Sequence, residues 1–115
     1  MCIRDRLRTA ADEPIAHEVA LLPGPLPGLA EQLALHSSLY RTLHEAYGID
    51  LATVEDTVET ALADPVTAGL LRVDTGLPLL LINRTGWDAQ GRGVEWSIGR
   101  FRGDRFRFVS RQRLS

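Results

Sequence analysis

Apolar and polar positions alternate with a period of two from Ile15 to Leu22. Ile15, His17, Val19 and Leu21 fall on one side, and Ala16, Glu18, Ala20 and Leu22 on the other. That is the pattern of a strand with two distinct faces. Residues 7–10 read as the end of an earlier strand. Ala11-Asp12-Glu13-Pro14 reads as the turn between the two, since Pro14 holds its predecessor extended. Pro23-Gly24-Pro25-Leu26-Pro27-Gly28 is a loop. The period then changes. Residues 29–35 suit one short helix. Leu39, Leu43 and Ala46 share a face of a second, with Ser37-Ser38 offering a cap before it and Gly48 placed to end it. Residues 54–63 are ambiguous: Val54, Val58, Ala61 and Leu62 suit a helix, while the β-branched Thr57, Val58 and Thr60 suit a strand. Asp64 can cap, and Pro65 can open, a short helix ending near Leu71.

Gly76 and Pro78 interrupt the chain, and residues 79–85 then form a compact apolar strand. Residues 88–93 are a hairpin turn, residues 94–102 alternate, Gly103-Asp104 turns, and residues 105–111 alternate again. The C-terminal third is therefore expected to be an antiparallel meander. Strands and helices in this mixed order point to a sheet combined with helices.

Composition narrows the function. A chain of 115 residues allows one domain with a modest core, and 44% hydrophobic with 24% charged residues is ordinary for a soluble domain. No apolar run approaches the roughly 20 residues of a membrane helix, so no membrane is expected as a partner. Arg4, Asp5, Arg6 and Arg8 have no apolar block behind them, unlike a secretory signal, and a cytoplasmic location is expected. Cys2 is the sole cysteine, and His17, His36 and His44 lack metal-ligand spacing, so neither a metal nor a cofactor is expected. All thirteen basic residues are arginine, a bias that fits a GC-rich coding sequence better than a binding site. With a net charge of -2, the Arg100 to Arg113 series reads as the polar side of the last hairpin rather than a nucleic-acid groove.

Met1-Cys2-Ile3-Arg4-Asp5 back-translates to a transposon end used in preparing sequencing libraries, and the Arg6 codon begins in the same bases. Residues 1–6 are therefore expected to be a non-native start on a frame truncated upstream, with residues 7–115 forming the domain.

Three blocks carry a resemblance. Leu7-Arg8-Thr9-Ala10-Ala11-Asp12-Glu13-Pro14-Ile15-Ala16-His17-Glu18 resembles an opening strand pair, without its usual turn glycine. Ser38-Leu39-Tyr40 is followed by Tyr47-Gly48-Ile49. Pro78-Leu79-Leu80-Leu81-Ile82-Asn83-Arg84 leads through Gly91 and Val94-Glu95-Trp96-Ser97 to Arg102-Gly103-Asp104-Arg105-Phe106. In this order and spacing the blocks resemble the UTRA domain, the ligand-binding domain of HutC-like regulators of the GntR family. The resemblance implies an α+β, chorismate lyase-like fold, an antiparallel β-sheet with helices packed on it, and makes residues 54–63 a strand. It also implies that a winged helix-turn-helix and an opening strand of the sensing domain lie upstream. A sheet lacking a strand exposes a backbone edge. The 115 residues alone are thus expected to be marginally stable or to aggregate, and a monomeric, cooperative melt would contradict this.

The resemblance further implies an effector site between the sheet and the helix that carries Ser38-Leu39-Tyr40. The matching positions are Arg8, Glu18, Ser38, Tyr40 and Glu95, with Arg6 on a second family arginine and Phe101 where relatives often carry a tyrosine. These side chains have a coherent chemistry. Arginine holds phosphate or carboxylate bidentately. A helix N-terminus at Ser38 favours an anion, and Glu18 and Glu95 accept from hydroxyls or an amine. Plainer roles stay open: Ser38 as a cap, Tyr40 as core packing, Arg8 as a solvated strand residue, Glu18 and Glu95 as partners of arginines such as Arg84 or Arg102, and Trp87 as packing.

The expected function is that of a ligand-sensing module in a homodimeric regulator, an expected repressor. A small anionic effector, a sugar phosphate or an amino-acid derivative, would change operator affinity. DNA would be reached only through the N-terminal domain absent from this sequence. The rivals are a chorismate lyase-like enzyme and a stand-alone binding domain. No activated nucleophile pair or phosphate loop favours the enzyme.

Overall fold

The computed structural model describes residues 2–114. The chain runs β1 (Cys2–Ala10), β2 (Glu13–Leu22), α1 (Leu29–His36), α2 (Leu39–Tyr47), β3 (Thr53–Leu62), α3 (Pro65–Leu71), β4 (Pro78–Trp87) and β5 (Gly93–Arg102). The five strands form one sheet in the order β1-β2-β5-β4-β3, and every neighbouring pair is antiparallel. The sheet and helices expected from the patterns, and the α+β fold that the resemblance implied, an antiparallel β-sheet with helices packed on it, are therefore the observed architecture.

Local chemistry sets the boundaries. β1 and β2 join through Ala11 and Asp12, both with positive φ, 49° and 64°. Such a two-residue turn follows the twist of a hairpin. The Ser38 hydroxyl oxygen accepts from Arg41 N at the start of α2, and Gly48, at φ 65°, ends that helix by donating its N–H to His44 O. Asp64 accepts from Thr67 N at 2.7 Å and Pro65 opens α3. Residues 54–63, ambiguous in pattern, are edge strand β3, as the family resemblance implied. Cys2 to Arg6, read from sequence as a non-native start, extend β1 and pair with Leu22 to Glu18 of β2.

The core lies in two patches. On one face, Leu22, Leu26 and Leu43 are buried, with Leu39, Tyr40, Tyr47 and Leu51 packed around them, which seats α1 and α2 on the sheet. Gly86 makes this possible, since a Cβ there would lie 2.3 Å from Leu51 Cδ2. The second patch gathers Ala63, Ala68, Leu71 and Leu79 around α3.

One expected element does not form. Residues 105–111 alternate but are not a strand; the chain turns at residues 103–105 and continues as an irregular segment. The topology gives the reason. β5 already has β2 on one side and β4 on the other, so a strand returning from it finds no free edge beside it. The alternation instead turns Phe106 and Phe108 towards the α1–α2 face of the sheet. The expected three-strand meander is thus one hairpin, β4–β5, followed by a tail.

Candidate effector site

A cleft of about 570 Å³ opens between the sheet and the α1–α2 junction. Register explains which side chains face it. Arg4, Ala20, Ser97, Arg84 and Asp56 make one row across the five strands, and Arg6, Glu18, Gly99, Ile82 and Val58 make the next. All seven residues singled out in the sequence, Arg6, Arg8, Glu18, Ser38, Tyr40, Glu95 and Phe101, line this one cleft. Arg4, Asp56, Arg84, Ser97, Phe106 and Phe108 line it as well.

At the β1 end, Arg6 donates to Glu18 Oε2 at 2.6 Å and Arg8 donates to Glu18 Oε1 at 3.1 Å. Burial pushes the Glu18 carboxyl up, but the hydrogen bonds and charges of the two arginines outweigh it and hold the group below its ordinary range. Burial, reinforced by the repulsion of Arg6, makes Arg4 a weaker base than a free arginine. Each guanidinium carries five N–H donors and spends few of them on Glu18, so an incoming anion finds donors free. Ser37 and Ser38 line the cleft as well. Ser37 takes a left-handed φ of 61° and Ser38 caps α2, whose first N–H groups point out of the helix as they must at any N-terminus.

At the other end Tyr40 donates to Glu95 Oε1 at 2.5 Å and accepts from Arg84 at 3.0 Å. Arg84 forks onto both oxygens of Asp56, at 2.7 and 2.8 Å. Burial, then the hydrogen bond to Glu95, pushes the Tyr40 phenol up against the opposing pull of Arg84. The fork from Arg84 holds the Asp56 carboxyl down, and Asp56 in return raises Arg84. Glu95 is buried at 8% exposure. It therefore meets Arg84 through the Tyr40 hydroxyl rather than directly, and Glu18 pairs with Arg6 and Arg8 rather than Arg84 or Arg102. Arg102 pairs with Asp104.

Phe101 is buried at the floor, and the Phe106 ring lies against it. Ser38 is both a cap and a lining residue, and Tyr40 both packs on the core and points its hydroxyl at the cleft. Sequence reasoning missed Arg84 and Asp56 as cleft residues. Arg84 ends a nearly continuous apolar run with no readable face, and Asp56 sits in the stretch whose period was ambiguous. No group of three or more potential metal ligands occurs among the described residues, and no helix of the described chain is long and apolar enough to cross a membrane.

The comparisons with known proteins agree with this fold. Residues 2–107 match the model of the UTRA domain. The chain is 32% identical over 104 residues to the HTH-type transcriptional repressor NagR of Bacillus subtilis, covering 90% of this chain and 43% of that protein. It is 33% identical over 107 residues to the HTH-type transcriptional repressor PhnF of Mycolicibacterium smegmatis, covering 92% of this chain and 43% of that protein. Less than half of each of these relatives is thus spanned. The crystal structure of the effector domain of PhnF superposes with a TM-score of 0.83 at 31% identity, over 97% of this chain and 69% of that one. A GntR-family transcriptional regulator from Enterococcus faecalis superposes with a TM-score of 0.79 at 26% identity, over 94% of this chain and 78% of that one. With its three sequence blocks, its five-stranded sheet and these matches, the chain belongs to the UTRA domain family of GntR-type transcriptional regulators.

Proposed function

We propose that this chain is the effector-sensing domain of a helix-turn-helix repressor, and that the cleft under the α1–α2 junction binds a small anionic metabolite. The observation that carries the reading is the convergence of Arg6, Arg8, Glu18, Ser38, Tyr40, Glu95 and Phe101 on one cleft. Arginines and a helix N-terminus supply an anion pole; a buried carboxylate and a phenol supply a pole for hydroxyls or an amine. A sugar phosphate or a phosphorylated or carboxylated amine fits that layout. Ligand binding shifts the arrangement of a homodimer, and with it the fit of the DNA-binding heads to an operator. Those heads lie in the part of the protein outside these 115 residues. The role is regulatory rather than enzymatic, as the names of NagR and PhnF support, and it is carried out in the cytoplasm.

Calorimetric titration and thermal unfolding with inorganic phosphate, glucose 6-phosphate, glutamate and uncharged glucose test this reading. A ligand present at 100 times its dissociation constant adds about 2.7 kcal/mol to stability. Stabilisation by an anionic member and not by glucose is the expected result. A chain that binds none of them, or binds glucose equally well, removes the anion pole from the reading.

A further inference from the structure

We propose that Arg84 and Asp56 are positioning residues of the effector site, holding Tyr40 and, through it, Glu95 ready for the hydroxyl-bearing end of the ligand. The proposal rests on the reading of the cleft as an effector site. Its basis is a chain of hydrogen bonds with one possible direction. A guanidinium only donates, so the Tyr40 oxygen must accept from Arg84, at 3.0 Å, and its single hydrogen is left for Glu95 Oε1, at 2.5 Å. Arg84 is itself held by two bonds to Asp56, which stands directly opposite it on the edge strand β3. Four elements, β3, β4, α2 and β5, are tied in this way to one carboxylate.

That carboxylate has spare capacity. Glu95 is buried, yet it makes no ion pair among the described residues. Tyr40 occupies Oε1 and leaves Oε2 as an acceptor towards the cleft. This oxygen is not sealed off, since no buried side-chain polar atom among the described residues lacks a partner, and a ligand hydroxyl or amine entering the cleft can donate to it. The Arg84–Asp56 pair is too exposed, at 38% and 26% of the two side chains, to matter much as a stabilising ion pair. A guanidinium that fixes a carboxylate with two donors and the site's phenol with a third does what lysine cannot, since an ammonium has no fixed fork.

The test compares the 115-residue chain with Arg84→Met, Arg84→Lys and Asp56→Asn. One readout needs no ligand. In a Tyr47→Phe background Tyr40 is the sole tyrosine, and carbon-13 NMR of its ring carbon follows its ionisation. Arg84→Met should raise the titration midpoint, because the charge that favours the phenolate is gone; Arg84→Lys should restore it only in part. The second readout is the affinity for glucose 6-phosphate against that for inorganic phosphate. Loss of about tenfold for the sugar phosphate in Arg84→Met and Asp56→Asn, with phosphate unchanged, is the expected result. A Tyr40 midpoint that ignores Arg84→Met overturns the relay. A shifted midpoint with unchanged sugar-phosphate affinity overturns the positioning role while leaving the effector site standing. Failure of the unaltered chain to bind either probe overturns the effector reading and the positioning role with it.

Discussion

The Phe106 ring lies against Phe101 with centroids 4.3 Å apart and planes inclined by 31°. The pair closes the cleft floor with a residue from outside the sheet. Phe106→Ala should cost about 1–3 kcal/mol in urea unfolding, from lost burial and the lost aromatic pair. Beyond Phe108 the tail is exposed, Val109 and Leu114 included. Truncation after Phe108 should therefore change stability by no more than about 0.5 kcal/mol. Equal losses for both changes would mean that the tail is held by something other than this aromatic contact.

Gly99 is the other half of that floor. A Cβ at this position would sit 2.5 Å from Phe101 Cε1, so the ring lies across the glycine. Gly99→Ala must push the ring off its seat, with an expected cost of about 1–3 kcal/mol. Gly93 is the control, with nothing within 4 Å of an added Cβ. Gly93→Ala should leave the unfolding midpoint nearly unchanged. A tolerated Gly99→Ala would show that the ring has somewhere else to go.

How much of this was legible depends on whether the signal was local. Ser38, Gly48, Asp64 and Pro65 each mark a helix end through chemistry contained within a few residues, and α2 and α3 begin and end where those residues stand. The strand β3 was not legible from its own pattern, because an edge strand exposed on both faces has no reason to alternate. The tail misled for the opposite reason. Arg105, Phe106, Arg107 and Phe108 do alternate, but the pattern records a cleft on one side rather than a strand partner. Whether a free edge existed beside β5 was a property of the whole topology. The cleft divides along the same line. Arg6, Arg8, Glu18 and Glu95 stood out at motif positions, whereas the link of Arg84 to Asp56 exists only through the β3–β4 register.

The β1–β2 turn carries avoidable strain. Ala11 and Asp12 both adopt left-handed φ, where a Cβ costs roughly 1–2 kcal/mol per residue. The turn favours asparagine followed by glycine. The double change Ala11→Asn, Asp12→Gly should therefore raise stability by about 1 kcal/mol and the thermal midpoint by several degrees. A fall in the midpoint would argue that the turn is not left-handed at both positions.

Two cleft carboxylates set the response to acid. Glu18, pushed up by burial but pulled further down by Arg6 and Arg8, titrates below its ordinary value in the folded chain, and Asp56 does so through its fork from Arg84. A folded-state value below the unfolded one means that the folded protein holds these protons less tightly. Their stabilisation is therefore complete above the ordinary carboxylate range, about pH 4 to 4.5, and is lost as pH falls through the depressed values. Unfolding midpoints in urea should be flat from neutral pH to about pH 5 and should fall below that. Glu18→Gln should lower the neutral-pH plateau and flatten the acid slope, Asp56→Asn should do so only slightly because its ion pair is exposed, and the double variant should flatten the slope a little further. The two groups sit on different strands with separate partners, so their effects should add. An acid slope that survives both substitutions would place the titrating groups elsewhere, with Asp64, Asp88 and Asp104 next in line, all three held low by hydrogen bonds.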